Sequence, residues 1–268
     1  MESPQHLRKT RVFSIANQKG GVGKTTTAVN LATAVSSLKK KVLLIDLDAQ
    51  GNATISLGIS RQGKTHTSYT VLTGQDSIQN AVVETAIPYL YVLPSAKELL
   101  GLDIELANVE KPQYFLKDAL NAPELDIDYV FIDCPPAVGL TTVNALTASN
   151  AVIVPIQCEY LALEGVADLI KTIERVRKNF NAELDLHGVL LTMFDGRSRL
   201  SGSVAEDVRR FFGDKVYEAV IPRNVRIPEA PSHGKPVLLY DWKCTGSQAY
   251  IRLAAEFLKR EKEILKNG

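Results

Sequence analysis

Cysteine is scarce in this chain. Cys134, Cys158 and Cys244 are the only three in 268 residues, and no two of them form a CxxC pair. An odd, unpaired set argues against a disulfide framework and suits a reducing compartment, so a cytoplasmic location is expected. Long hydrophobic runs are missing too: no apolar stretch approaches the roughly 20 residues that a membrane span needs. The opening MESPQHLRKTR has no apolar segment of the kind a secretory leader carries, and residues 1–10 read as a short flexible arm. Charge of one sign is also lacking, with 31 basic residues against 30 acidic. The balance is uneven along the chain, since the part from Lys171 onward carries 18 basic and 13 acidic residues. That excess fits either an ordinary solvated surface or an anionic partner. The four histidines, His6, His66, His187 and His233, are scattered and form no HxxxH-type ligand pair. The single tryptophan, Trp242, reads as a packing residue. No repeat, low-complexity tract or linker divides the chain, so residues 1–268 are expected to fold as one domain.

What is present alternates between two periodicities. Short apolar runs read as strands: RVFSIA at 11–16, VLLID at 42–46, YLYVL at 89–93, YVFID at 129–133, AVIVP at 151–155, GVLLTM at 188–193 and VYEAVI at 216–221. Between them lie helical patterns at 24–37, 162–180, 203–212 and 251–265. Ser203 and Glu206 fit a capping box for the third of these. In the last, Ile251, Ala254, Ala255 and Leu258 make the apolar face. Residues 58–87 read as loops and short helices. Strands alternating with helices imply crossover connections, hence an α/β fold with a mostly parallel, twisted sheet and helices on both faces.

The strongest local signal is KGGVGKTT, Lys19 to Thr26. It follows an apolar strand and opens a helix, the setting in which a phosphate-binding loop is expected. Glycines let backbone N–H groups approach an anion closely, and the helix N-terminus adds positive partial charge. Lys24 is placed to reach the β- and γ-phosphates of a nucleotide, and the Thr25 hydroxyl to ligate Mg²⁺. The general pattern G-x-x-x-x-G-K-[ST] calls for glycine where Gln18 stands, and a second lysine, Lys19, flanks the loop instead. Three carboxylates accompany it. Asp46 and Asp133 end apolar strands, and Asp48 follows two residues after the first, in LIDLDAQGNAT. Ligands of parallel sheets bind beyond the carboxyl ends of strands. One acid can hold Mg²⁺ through its water shell and another can orient an attacking water; the alternative is that these acids cap helices or meet solvent.

With LIDLDAQGNAT, VFIDCPP, NALTASNAVIVPIQCEYLALEG, GVLLTMFD and VIPRNVRIPEAPSHGKPV, the loop resembles the deviant Walker A, P-loop NTPase-like ATPases, specifically the ParA/Soj chromosome- and plasmid-partitioning branch. The likeness runs from Val12 to about Leu258. It implies an ATP- and Mg²⁺-dependent switch that forms a sandwich homodimer. Lys19 then reaches the phosphates of the partner subunit, and Gly20 and Gly21 stay small so that two loops can meet. Gly20, Gly21, Val22, Gly23, Lys24, Thr25 and Thr26 cradle the nucleotide. Asp48 positions the hydrolytic water, Asp46 and Asp133 support Mg²⁺ with Thr25, and Met193, Pro222 and Asn224 contact adenine. Arg197 and Arg226 fall where Soj-like proteins bind double-stranded DNA without sequence preference, and a ParB-like centromere-binding protein is the implied partner, at the nucleoid. Ala49 stands where relatives often have proline after the acid, a departure expected to be harmless. A MinD-like membrane-cycling ATPase is the competing class, and a metabolic phosphate-transferring P-loop enzyme the third. The C-terminal helix has little aromatic bulk on its apolar face and many acids, so packing on the core is expected rather than membrane binding. Cys134 and Cys158 occupy positions that invite comparison with an iron–sulfur protein, but without spaced cysteine runs they read as buried thiols.

Overall fold

A computed structural model describes residues 10–121, 125–160 and 162–267; apart from Thr10, the expected N-terminal arm lies outside them. The strands are β1 (Arg11–Ile15), β2 (Val42–Asp46), β3 (Val83–Glu84), β4 (Leu90–Leu93), β5 (Tyr129–Asp133), β6 (Ala151–Gln157) and β7 (Asp185–Thr192). They form one sheet in the order β3-β4-β2-β5-β1-β6-β7. Every pairing is parallel except β3 with β4. β1 lies between β5 and β6, and the chain leaves it for β2 on one side and later reaches β6 on the other. Such a reversal opens a crevice at the carboxyl ends of the strands.

Because successive strand residues point to opposite faces, each central strand feeds two cores. Val12, Leu43, Ile45, Val130, Ile132, Val152 and Val154 share one cluster with Leu146, Val166, Leu169 and Ile173 from the helices Leu140–Ala148 and Ala162–Asn179. Phe13, Ile15, Val42, Leu44, Phe131 and Ile153 join the other, with Ala28, Leu31 and Val35 from α1 (Lys24–Ser36) and Leu253 and Phe257 from the C-terminal helix Thr245–Asn267. Strands covered on both faces explain the unbroken apolar runs read in the sequence. Below the sheet, the buried Glu261 accepts hydrogen bonds from Arg11 Nε and Nη2 at 2.8 and 3.2 Å, tying the last helix to β1.

Four expectations are corrected. The segment 216–221 is not a regular strand: it follows β7 through the isolated bridge Val189–Val216 and the bonds from Tyr217 N–H to Val189 O and Ile221 N–H to Leu191 O, both at 2.9 Å, without forming a continuous ladder. The Glu256 carboxylate accepts from the backbone N–H groups of Glu218 and Ala219, both at 2.9 Å, taking donors a ladder would use. The helix expected from Ser203 starts at Arg199, capped by Ser198 Oγ, which accepts from Ser201 N–H. The C-terminal helix begins at Thr245 and buries Tyr250, Leu253, Ala254 and Phe257, whereas Ile251 is 42% exposed. Its aromatic anchors, seven residues apart, rotate the buried face away from the Ile251 and Ala255 positions. Trp242 does not pack inside; it is 62% exposed.

Candidate functional site

The Gly-rich turn leaves β1 and ends at Gly23, the N-cap of α1. Gly21 (φ 76°) and Gly23 (φ 90°) are left-handed, a region that side chains with a Cβ rarely adopt. A glycine cap brings no side chain, so the first-turn N–H groups of α1 keep their capacity for an outside acceptor. Neighbouring strands hold the turn in place. Asn17 Oδ1 accepts from Lys19 N–H at 3.0 Å while Asn17 Nδ2 donates to Pro155 O at 2.8 Å. Thr192 Oγ1 donates to Val22 O at 2.8 Å. Lys24 Nζ donates to Lys19 O at 3.0 Å, so the ammonium is folded into the loop itself. Burial lowers the Lys24 pKa, opposed by the nearby Asp133 carboxylate. Lys19 Nζ pairs with Glu159 Oε1 at 2.5 Å, and both side chains are more than a third exposed.

The carboxylates gather at the same edge. Asp46 and Asp133 sit side by side in the β2–β5 register. Asp46 is saturated: Oδ2 accepts from Thr54 N–H (2.8 Å) and Thr54 Oγ1 (2.6 Å), and Oδ1 from Asp48 N–H (3.2 Å). Neither oxygen of Asp133 has a hydrogen-bond partner among the described residues, although the side chain is fully buried. Burial and the adjacent Asp46 push Asp133 well above the usual carboxylate range, and burial raises Asp46 to about 6. A buried, unpartnered carboxylate is costly unless a cation or donor arrives. Asp48 is more open; its carbonyl accepts from Ser95 Oγ at 2.5 Å and its Oδ1 from Gln50 N–H at 2.9 Å. Among the described residues no group of His, Cys, Asp and Glu forms a metal cage by itself. That donor set fits Mg²⁺, which keeps waters and shares its coordination with phosphate oxygens.

A cavity of about 490 Å³ opens over the turn, lined by Gly20, Gly21, Gly23, Lys24, Thr25, Thr26 and Asp48 at one end and by Met193, Pro222 and Asn224 at the other. The turn, the expected water-positioning acid and the expected adenine contacts thus converge, within the 300–1,000 Å³ or so typical of ligand pockets. Val22 is buried, and Asp46 and Asp133 stand behind the wall. Met193 itself holds a positive φ of 49°. The sequence reading passed over other lining residues: Asn52, Pro136, Thr192, Ile227, Pro228 and Tyr250. Thr192, Ile227 and Pro228 lie inside motifs quoted above, beside the residues that were chosen; Tyr250 carried no local signal. Arg197 and Arg226 lie outside the cavity. Arg197 is bonded to Asp195 through Nε and Nη2 at 3.0 and 3.1 Å, and Arg226 to Glu229 at 2.9 Å with Asp241 at 3.5 Å. Cys134 and Cys158 are buried, and burial pushes their thiols up to about 12 and about 11, which suits inert packing groups.

Sheet order, turn and carboxylate arrangement define a P-loop nucleotide-binding protein. A family model described as an AAA domain matches residues 10–186. The chain is 55% identical over 255 residues to the chromosome partitioning protein ParA of Caulobacter vibrioides (strain NA1000 / CB15N), covering 94% of this chain and 96% of that protein. It is 46% identical over 258 residues to the sporulation initiation inhibitor protein Soj of Bacillus subtilis (strain 168), covering 96% and 99%. Among solved structures, cobyrinic acid a,c-diamide synthase from Mycobacterium smegmatis, with bound ATP analog and magnesium, superposes with a TM-score of 0.83 at 37% identity, covering 94% of this chain and 96% of that one. The chain belongs to the ParA/Soj family of chromosome-partitioning ATPases. No helix of the described residues is long and apolar enough to cross a membrane.

Proposed function

We propose that this protein is an ATP-hydrolysing switch of DNA segregation, cytoplasmic and associated with the nucleoid. The observation that carries the reading is the single cavity uniting Lys24, Thr25 and Asp48 with Met193, Pro222 and Asn224. The N–H groups of the loop and the Lys24 ammonium hold the β- and γ-phosphates; Lys24 exchanges its bond to Lys19 O for phosphate oxygens. Met193, Pro222 and Asn224 flank the adenine. Thr25, with Asp133 and Asp46 behind it, receives Mg²⁺ and its waters. When bound with the nucleotide, Mg²⁺ neutralises charge developing on the phosphate oxygens. Asp48 orients the attacking water.

The active form in this reading is a homodimer with ATP between its subunits. Lys19 leaves Glu159 and reaches the partner's phosphates, while Gly20 and Gly21 allow the loops to meet. Arg197 and Arg226 of both subunits contribute to a surface for double-stranded DNA of any sequence. Their pairings with Asp195, Glu229 and Asp241 are exposed ion pairs that solvent screens, so phosphates can displace them. A ParB-like partner stimulates hydrolysis and thereby release. The deciding experiment is a DNA-binding titration with ATP, with ADP and without nucleotide. ATP-dependent binding is expected. Equal or absent binding in all three, with ATP-dependent flotation on liposomes, transfers the protein to the membrane-cycling class. Absence of both leaves the metabolic class.

A further inference from the structure

Trp242 is the only tryptophan of the chain, yet 62% of its surface is exposed. A buried indole removes on the order of 150–250 Å² from water, so leaving one outside forgoes a large contact. Leu239 and Val225, 56% and 69% exposed, shortly precede Asp241 and Arg226 in the chain. The charges there are mainly basic: Arg226, Lys235, Lys243 and Arg252 are all exposed. The nearby acids, Glu229 and Asp241, are both engaged by Arg226. Lys243 Nζ stands 5.4 Å from the indole centroid.

The ring is held out on a fixed turn. Asp241 Oδ1 accepts from the N–H groups of Lys243 and Cys244, both at 3.2 Å, and Trp242 O accepts from Gln248 Nε2 at 2.8 Å. The same turn is joined to the nucleotide cavity. Asn224, which lines the cavity, donates through Nδ2 to Thr245 Oγ1 at 2.9 Å and accepts Arg226 N–H on Oδ1 at 2.8 Å.

We propose that Trp242 is the apolar contact of the DNA surface. Its indole lies against sugars and base edges of the duplex, while Arg226, Lys243 and Arg252 meet the flanking phosphates. The inference rests on the DNA reading above and adds a non-ionic component to it. Charge complementarity selects this occupant: exposed apolar groups set among cations suit a polyanion that also presents apolar sugar and base surface. An interfacial membrane site calls for a broader unbroken apolar face than three side chains interrupted by Glu229 and Asp241.

The single tryptophan makes the test direct. The full chain with Mg²⁺ and a non-hydrolysable ATP analogue is titrated with labelled duplex DNA of mixed sequence. DNA anisotropy and tryptophan emission are followed together. Emission is expected to change in step with anisotropy. Trp242→Ala is expected to weaken binding about tenfold on every sequence, the loss of a modest apolar area on the duplex. Its slope of log affinity against log salt stays that of the wild type, because an indole releases no counterions. Trp242→Phe retains most of the affinity, which separates the contact from a folding defect. DNA binding with unchanged emission, or wild-type affinity in Trp242→Ala, overturns the proposal and leaves the DNA reading standing. No DNA binding with any nucleotide removes both. An emission shift on anionic vesicles without DNA assigns the ring to a membrane and overturns it equally.

Discussion

Asp133→Asn separates the structural cost of the buried acids from their use. In the free protein Asp133 and Asp46 lie side by side, both fully buried, and Asp133 has no hydrogen-bond partner among the described residues. Both pKa values are raised, so the folded state binds more protons than the unfolded chain. Stability contributed in this way is fully present below about pH 4 and is lost as pH rises through the folded values. For Asp46 that window runs from 3.8 to about 6; for Asp133 it extends higher. Each pKa unit is about 1.4 kcal/mol, so Asp46 alone costs roughly 3 kcal/mol at pH 8. For a chain of this size that is about 5 °C in Tm.

Asparagine at position 133 keeps the shape and removes one charge. The nucleotide-free variant should therefore melt a few degrees above the wild type at pH 8, with the difference closing as the pH falls toward 4. Mg²⁺-ATP should raise the wild-type Tm and leave the variant nearly unmoved. Melting curves from pH 4 to 8, with and without Mg²⁺-ATP, measure these quantities. A variant less stable than wild type at pH 8 without nucleotide, or one that Mg²⁺-ATP stabilises equally, refutes the reasoning.

Lys24→Ala removes the main side-chain counterpart of the phosphates and should abolish ATP binding in an equilibrium titration; wild-type affinity sinks the phosphate-loop assignment. Asp48→Ala should bind ATP near normally, turn it over at least about a hundredfold more slowly, and accumulate as a dimer, since losing the water-orienting group slows chemistry more than binding. Unchanged steady-state turnover contradicts that role. Arg197→Glu and Arg226→Glu should weaken binding to every DNA sequence and flatten its salt dependence while ATP-driven dimerisation persists; two variants that follow the wild type across a salt series place the DNA site elsewhere. Gly20→Val should bind ATP and remain a monomer by light scattering.

The strands that bury both faces were plain in the sequence because their local pattern and their tertiary setting agree. VLLID and YVFID coincide with β2 and β5 to the residue. VYEAVI also reads as a strand, but Glu256, distant in sequence, takes the backbone donors of Glu218 and Ala219, and no local pattern carries that competition. The site divides the same way. The loop was legible since glycine, lysine and threonine have few other reasons to occur in that order between a strand and a helix. Asp46 and Asp133 were recognised as strand-end acids, but their difference was not: Thr54 and the Asp48 N–H engage one, while the other stands beside Thr25 and Lys24 of the loop. Tyr250 reaches the cavity wall only because the last helix starts six residues earlier than its periodicity suggested. Trp242 was misread for a related reason, since composition places tryptophan inside and only the turn at Asp241 shows it outside.

Gly20 gives the proposed ATP dimer its sharpest test. Gly21 and Gly23 are explained within the chain by their left-handed φ. Gly20 has no such reason: its φ is outside the left-handed range, and nothing lies within 4 Å of its missing Cβ. A Cβ meets nothing there in the isolated subunit, so Gly20→Val should fold, melt near the wild type and bind ATP. A dimerisation defect in that variant then reports contact with something outside the subunit. A variant that dimerises normally with ATP means the two loops do not meet at Gly20, and the sandwich arrangement with Lys19 crossing to the partner's phosphates goes with it.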